Sequence, residues 1–146
     1  MSNFKRKINI VESTTPPPNP FDWWYDLSSE VLKKPANGMY VSISNEDPSG
    51  PTEEEKTSAG VIYFTGSEES VDDTVRMRLY DNEKIPQSEF KNRSDITSVI
   101  VLDGTKIISN MSFSGCENLK AVRLPNSLVS LERQAFYDCK SLKSLH

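Results

Sequence analysis

Between Ile85 and Leu145 the same residue types return every 23 positions. Ile85, Ile108 and Leu131 form one column, and Phe90, Phe113 and Phe136 form the next. Ile96, Leu119 and Leu142 make a third, Val99, Val122 and Leu145 a fourth. Cys116 and Cys139 share a further column whose earlier member is Arg93. An apolar pattern held in phase over this period calls for a stack of similar units, each burying its apolar side against the next. Such a chain can fold only as a short solenoid with special arrangements at its ends.

Each unit reads as a short strand followed by a turn. Thr97–Leu102 precedes Asp103-Gly104, Lys120–Leu124 precedes Pro125-Asn126, and Lys143-Ser-Leu145 begins the strand again. Val99 and Val101, or Val122 and Leu124, share one face at strand spacing. Successive strands are expected to lie parallel and to form a concave face. The other half of each unit holds Ile108 and Phe113, or Leu131 and Phe136, around a short helical or 3₁₀ turn, so the Phe column plugs the convex side. Equivalent positions would then sit roughly 4.8 Å apart, close enough for Cys116 and Cys139 to form a disulfide. Two buried thiols filling small slots are the better reading. No Cys-x-x-Cys pair points to zinc.

The residues before the repeat differ in kind. Nine prolines and a hydrophobic content of 36% imply that part of the chain is extended. Pro16-Pro17-Pro18-Asn19-Pro20 must run as polyproline II or something close to it, and Ile8–Val11 makes a brief strand if an edge is offered. Phe21, Trp23, Trp24 and Tyr25 follow directly. They either fold back onto the chain's own sheet or anchor it in a partner, as aromatic residues do at interfaces. Leu27–Lys34 reads as a short capped helix or as part of a hairpin with Trp23–Asp26. Met39–Ser44 is expected to be a half-buried strand, and Val61–Thr65 and Val75–Leu79 are strands, so that residues 39–79 make a small antiparallel sheet capping the first unit.

Charge is unevenly spread. Residues 45–73 carry nine acidic side chains and one basic, between an N-terminal part with five basic and four acidic and a C-terminal part with eleven basic and eight acidic. The acidic stretch 45–59 reads as a solvated loop, since it lacks the alternating spacing of a calcium loop. No basic face interleaved with aromatics suggests nucleic acid. No apolar run is long enough to span a membrane. The single histidine is His146, and no catalytic motif or Gly-rich phosphate loop is present. Catalytic residues, metal ligands and cofactors are therefore expected to be none, and the chain is read as no enzyme.

The repeat resembles the BspA-like leucine-rich repeats, whose units carry Ala-Phe-x-x-Cys-x-x-Leu before a strand and an Ile/Leu-Pro turn. Ala135-Phe136-Tyr-Asp-Cys139-Lys-Ser-Leu142 matches in full and Ser112-Phe113-Ser-Gly-Cys116-Glu-Asn-Leu119 nearly so. Glu89-Phe90-Lys-Asn-Arg93-Ser-Asp-Ile96 departs at two positions, as a capping unit would. The resemblance covers about residues 60–146. It implies a small leucine-rich repeat solenoid over 81–146; with the strands and the Pro-rich run read above, the whole is expected to be a mainly β fold with short helical turns, with an N-terminal antiparallel β cap over 27–80 that holds the acidic loop 45–59 and an extended Pro-rich attachment arm over 1–26.

Members of that family are surface-displayed adhesion or interaction modules. Met1–Lys7 is not followed by the apolar segment of a secretory signal, which fits a protein assembled inside a cell and released by lysis. Thr15–Ser28 is similar to the Pro-Pro…Trp-x-Asp-x-Ser segments of phage head and tail fibre proteins. The expected function is thus a non-catalytic virion structural protein, a head or tail fibre component whose partners are other virion proteins held through Phe21, Trp23, Trp24 and Tyr25. A bacterial cell-surface adhesion module is the alternative. The chain ends inside a strand, so a homodimer through the last unit, with Leu142 and Leu145 at its contact, is expected to cover the open edge.

Overall fold

Val61, Ile62 and Tyr63 are all buried, as neighbouring residues of one strand can be only when both faces of their sheet are covered. In the computed structural model, which describes residues 9–43, 46, 59–65 and 75–145, this run lies in β5 (Gly60–Thr65). The described residues hold twelve strands in three sheets and no helix. The central sheet runs β12 (Ser144–Leu145), β10 (Ala121–Arg123), β8 (Ile96–Val101), β5 and β6 (Val75–Leu79).

Two cores lie on either side of that sheet. On one side Val61, Tyr63, Val99, Val101 and Val122 pack with Ile85, Phe90, Ile108, Phe113, Cys116 and Leu119. On the other, Ile62, Val75, Met77, Leu79 and Leu102 pack with Trp23, Tyr25 and Leu32. The strict alternation of Val75-Arg-Met-Arg-Leu79 puts the three apolar residues in the second core, while Arg78 sits with its guanidinium 5.0 Å from the Phe90 ring beside the first.

The 23-residue period is the register of the parallel pairings. Ser98, Ala121 and Ser144 are neighbours across β8, β10 and β12, as are Val99, Val122 and Leu145. A second, three-stranded sheet of β7 (Lys84–Ile85), β9 (Ile107–Ile108) and β11 (Ser130–Leu131) aligns Ile85, Ile108 and Leu131 in the same way. Between the two sheets the described residues form no helix, but turns closed by amide bonds of three-residue span. Amide bonds from Arg93 to Phe90 O, Cys116 to Phe113 O and Cys139 to Phe136 O, flanked by others of the same span such as Ser112 to Ser109 O and Ser114 to Met111 O, close turns that do not propagate into a regular helix. They cannot, because the residue before each bonded Arg or Cys has left-handed backbone: Asn92 at φ 63°, Gly115 at 76° and Asp138 at 61°. Asn, Gly and Asp are the types that tolerate it.

The N-terminal segment makes the third sheet, ordered β1 (Ile10–Ser13), β2 (Trp23–Asp26), β3 (Val31–Ala36) and β4 (Met39–Ser42). Of the two readings of Leu27–Lys34 the hairpin is the one that forms. Asp26 organises its turn by accepting hydrogen bonds at Oδ1 from the Ser28 amide (3.0 Å) and hydroxyl (2.7 Å). The β3–β4 turn has Asn37 at φ 53° and Gly38 at 80°, the paired positive angles of a tight hairpin. Three expectations need correction here. Residues 10–26 are not a free arm, since β1 pairs parallel with β2, from Ile10–Trp23 to Ser13–Asp26. Residues 39–79 are not one sheet, because β4 pairs with β3 while β5 and β6 join the central sheet. Met39–Ser44 is not half-buried: the strand stops at Ser42, and Met39 is 71% exposed on an edge.

The acidic stretch 45–59 lies outside the described residues except for Glu46 and Ala59, as do the basic cluster Lys5–Lys7, the turn region 66–73 and His146.

Candidate interaction surface

The four aromatics expected to grip a partner divide sharply. Trp23 and Tyr25 point into the core beneath the N-terminal sheet, 4% and 3% exposed. Trp24 faces the other way and is buried as well. Its Nε1 donates to Ser13 O at 3.0 Å, Tyr40 meets it edge-on at 5.4 Å, and Lys33 Nζ lies 4.6 Å from the ring centroid. The crossover from β1 to β2 leaves at Ser13 and returns at Asp22, whose carbonyl accepts the Tyr40 hydroxyl. This Pro-rich crossover, with Pro17 buried, supplies the cover that a free arm would have lacked. Phe21 alone is presented at the surface.

Asp26 closes this sheet electrostatically. Burial alone would raise its pKa, but hydrogen bonds from the Ser28 and Lys33 side chains outweigh it and hold the carboxyl well below the usual carboxylate range. Lys33 Nζ is 3.0 Å from Oδ2.

Because the N-terminal sheet packs on Ile100 and Leu102, it occupies the β8 part of the face that the repeat strands were expected to leave open. Beyond it a cleft of about 380 Å³ runs over Ile100, Leu124 and Pro125. Glu12 and Arg123 form an ion pair across this cleft, tying β1 to β10.

The repeat presents a different kind of surface, because its two ends are finished differently. At the first end, β5 takes the free edge of β8 antiparallel, with Tyr63 opposite Val99 and Val61 opposite Val101. The Tyr63 ring stands edge-on to Phe90 at 5.1 Å. Tyr63 donates its hydroxyl to Glu46, and its pKa is pushed up to about 12 by burial and by that carboxylate. Arg78 bridges Glu46 and Glu89 at 2.9 and 3.0 Å. Arg93, which stands where later units have Cys, is held by Asp95 and lies 5.6 Å from the Tyr63 ring. The departure of the first unit from the pattern is thus a lid over the ring column.

On the other side of the stack the columns lose cover among the described residues. Ile85 and Ile108 are fully buried, but Leu131 is 43% exposed. Phe90 and Phe113 are fully buried and Phe136 is half-buried, and so with Cys116 against Cys139 and with Ile96 and Leu119 against Leu142. Ser114 is 6% exposed, whereas Tyr137, one unit on, is 61% exposed. The covered units show what is missing. Phe113 donates its amide to Ala135 O and Gly115 to Tyr137 O; among the described residues the corresponding amides of Phe136 and Asp138 have no such partner. The Phe90, Phe113 and Phe136 rings stack at 5.2 Å with interplanar angles of 9° and 4°. Leu142 therefore belongs to this face, and the backbone of Leu145 continues it through β12.

Both thiols are free. Each donates to the carbonyl of the preceding unit's Phe, Cys116 to Phe90 O and Cys139 to Phe113 O, both at 3.1 Å. Burial pushes the Cys116 thiol up to about 12 and raises that of Cys139. Among the described residues no group of three His, Cys, Asp or Glu side chains could hold a metal ion, and no helix is long and apolar enough to cross a membrane.

Parallel strands in 23-residue register, a stacked Phe column and Cys–carbonyl bonds between units define a repeat protein of the leucine-rich class. Residues 83–146 match the family model for the BspA type leucine rich repeat region (6 copies), so this part of the chain is similar to that family. No curated protein and no solved structure matches the chain.

The left-handed column Asn92, Gly115 and Asp138 was the site feature missed in the sequence. Its signal, three turn-forming types in one register, was available. The ionic lid had only Arg93 as a clue, since Arg78 and Glu46 reach it from elsewhere in the chain.

Proposed function

We propose that the chain is a non-catalytic protein-interaction module, built as a leucine-rich solenoid that β5 seals on the Phe90 side. The observation that carries this reading is the surface made by Leu131 and Tyr137, both exposed, with Phe136, Cys139 and Leu142 only half-buried beside them. Exposed, contiguous apolar residues rimmed by charge mark contact surfaces, and the repeat family points to protein–protein interaction or adhesion. Catalysis has little support. Tyr63, Arg78 and Arg93, whose pKa values are displaced together, are tied to Glu46, Glu89 and Asp95 in the ion pairs and hydrogen bonds of the lid, and Asp26 and Cys116 are bound into structural hydrogen bonds elsewhere, which leaves none of them poised over a cleft.

A narrower proposal places the module in a virion, as a head or tail fibre component with other virion proteins as partners. The similarity of Thr15–Ser28 to fibre segments supports it. With Trp23, Trp24 and Tyr25 buried, Phe21 and the repeat are the contacts left for such a role. Display on a bacterial surface is the competing location. Cross-linking of the tagged chain in producing cells, with mass spectrometry of purified virions and of the surface fraction, tests both. Specific cross-links from residues 129–143 to another protein support the module. Their absence in either fraction, or a substrate turned over by the pure chain, defeats it.

A further inference from the structure

The β3–β4 turn places an asparagine side chain next to an unhindered main-chain amide. We propose that Asn37 is a site of spontaneous covalent modification, where the chain's own backbone converts the side-chain amide to an acid and leaves an isoaspartyl linkage in the hairpin. This stands independently of the interaction-module reading.

The Gly38 nitrogen loses its proton to solvent base and bonds to Asn37 Cγ. The bond from Cγ to the side-chain nitrogen breaks, and ammonia leaves a cyclic imide behind. Water then opens the imide. Attack at Cγ gives an ordinary aspartate, and attack at the main-chain carbonyl routes the chain through the side chain as isoaspartate. A water is consumed for each ammonia released. A β-carbon on the following residue would crowd the attacking nitrogen, and Asn37 is the asparagine of this sequence that glycine follows.

The surroundings leave this step open. Ala36 pairs with Met39, so Asn37 and Gly38 form the loop, and both are exposed. Among the described residues nothing accepts the Gly38 amide or holds the Asn37 side chain. Beyond its chain neighbours, nothing lies within 4 Å of a β-carbon built on Gly38. β4 is an edge strand with Met39 71% exposed, and the tip of an edge hairpin opens at little cost. Opening relaxes the left-handed pair, at φ 53° and 80°, so that nitrogen and Cγ can meet. The repeat shows the opposite arrangement. Asp103-Gly104 could close the same imide with loss of water, but the Gly104 amide donates to Ser127 Oγ at 2.8 Å, and Ser127 donates to Thr105 O at 2.9 Å. Asn118 Nδ2 donates to Ser94 O at 2.7 Å, and Asn110 Oδ1 accepts the Gln134 amide at 3.0 Å.

The product adds a main-chain carbon and a negative charge to the turn, so the Ala36–Met39 rung is expected to open while Leu32, fully buried further down β3, stays in place. Incubation of the full chain in neutral and mildly alkaline buffer, followed by peptide mapping and labelling with an isoaspartyl-specific methyltransferase, tests this. The expected result is loss of the amide at Asn37, faster as pH rises, with isoaspartate as the main product and Asp103 unchanged. Hydrogen exchange of the Met39 amide is expected to quicken in the converted fraction. An Asn37 that keeps its amide in the folded chain and loses it only in urea overturns the proposal. So does a product of ordinary linkage alone, or isoaspartate arising at Asp103 as fast as at Asn37.

Discussion

The rings of Phe113 and Phe136 stack 5.2 Å apart with their planes 4° from parallel, yet Phe113 is fully buried and Phe136 is not. The same side chain in the same column therefore has two different energetic roles. Phe113→Ala removes a ring sandwiched on both sides and is expected to cost about 3–5 kcal/mol. Phe136→Ala, with one side open, is expected to cost about 2 kcal/mol in the isolated chain. Urea titrations of both variants check the order, and equal losses would contradict an uncovered end.

Gly115 has φ 76°, and a β-carbon there would sit 2.2 Å from Asn92 Oδ1. Gly115→Ala therefore meets both an unfavourable backbone and the side chain of the preceding unit, with an expected loss of about 1–3 kcal/mol. Part of that loss should vanish in an Asn92→Ala background. The same penalty in both backgrounds would show that backbone conformation alone is responsible.

Asp26 makes the N-terminal sheet sensitive to acid. Its folded pKa is depressed by the Ser28 and Lys33 hydrogen bonds, below an unfolded value near about 3.9. The unfolded chain thus takes up the proton first. The stabilisation is complete above about pH 4 and is lost as pH falls towards the folded pKa. Asp26→Asn should be less stable at neutral pH and should lose less on acidification, as read by melting temperature against pH.

The two thiols should be slow to react in the native protein. Burial raises both pKa values, that of Cys116 to about 12, so little thiolate exists near neutrality. A colorimetric thiol reagent is expected to find no rapid equivalents in the folded chain and two after denaturation. One rapid equivalent at neutral pH would show that the last unit opens. The sign for stability is opposite to that of Asp26: it falls as pH rises above about 8.5, where the unfolded thiol ionises first.

Removing residues 1–26 should unfold more than an arm. Trp23 and Tyr25 cover Ile62, Met77, Leu79 and Leu102, and losing them bares the second core. The truncated chain is expected to bind a hydrophobic dye and to melt well below the full chain, whereas a dispensable arm would leave both measurements unchanged.

The contrast between these parts explains what could be read in advance. Ile108, Phe113 and Leu119 announce themselves because neighbouring units repeat the same local physics, so position in the period fixes which way a side chain points, and the units on both sides then bury it. Trp23 and Trp24 have no such second copy. Whether an aromatic residue faces a partner or its own sheet depends on Ile10–Ser13 pairing with it from across a proline-rich crossover, a contact that no local pattern encodes. The same holds for Met39, whose alternation suits a strand but does not reveal that the strand lies at an edge. At the candidate surface, Leu142 could be placed from its column, while Tyr137 could not, since only the missing cover distinguishes it from the buried Ser114.

The antiparallel closure of β8 by β5 also gives the stack a direction of growth. A duplicated 23-residue segment inserted after Leu124 would find a template on one side and hand an identical template onward. The same segment placed ahead of β8 would have to displace Tyr63, Arg78 and Glu46 together. Lengthening of this molecule by duplication is therefore a one-way process, and the ionic lid marks its fixed origin.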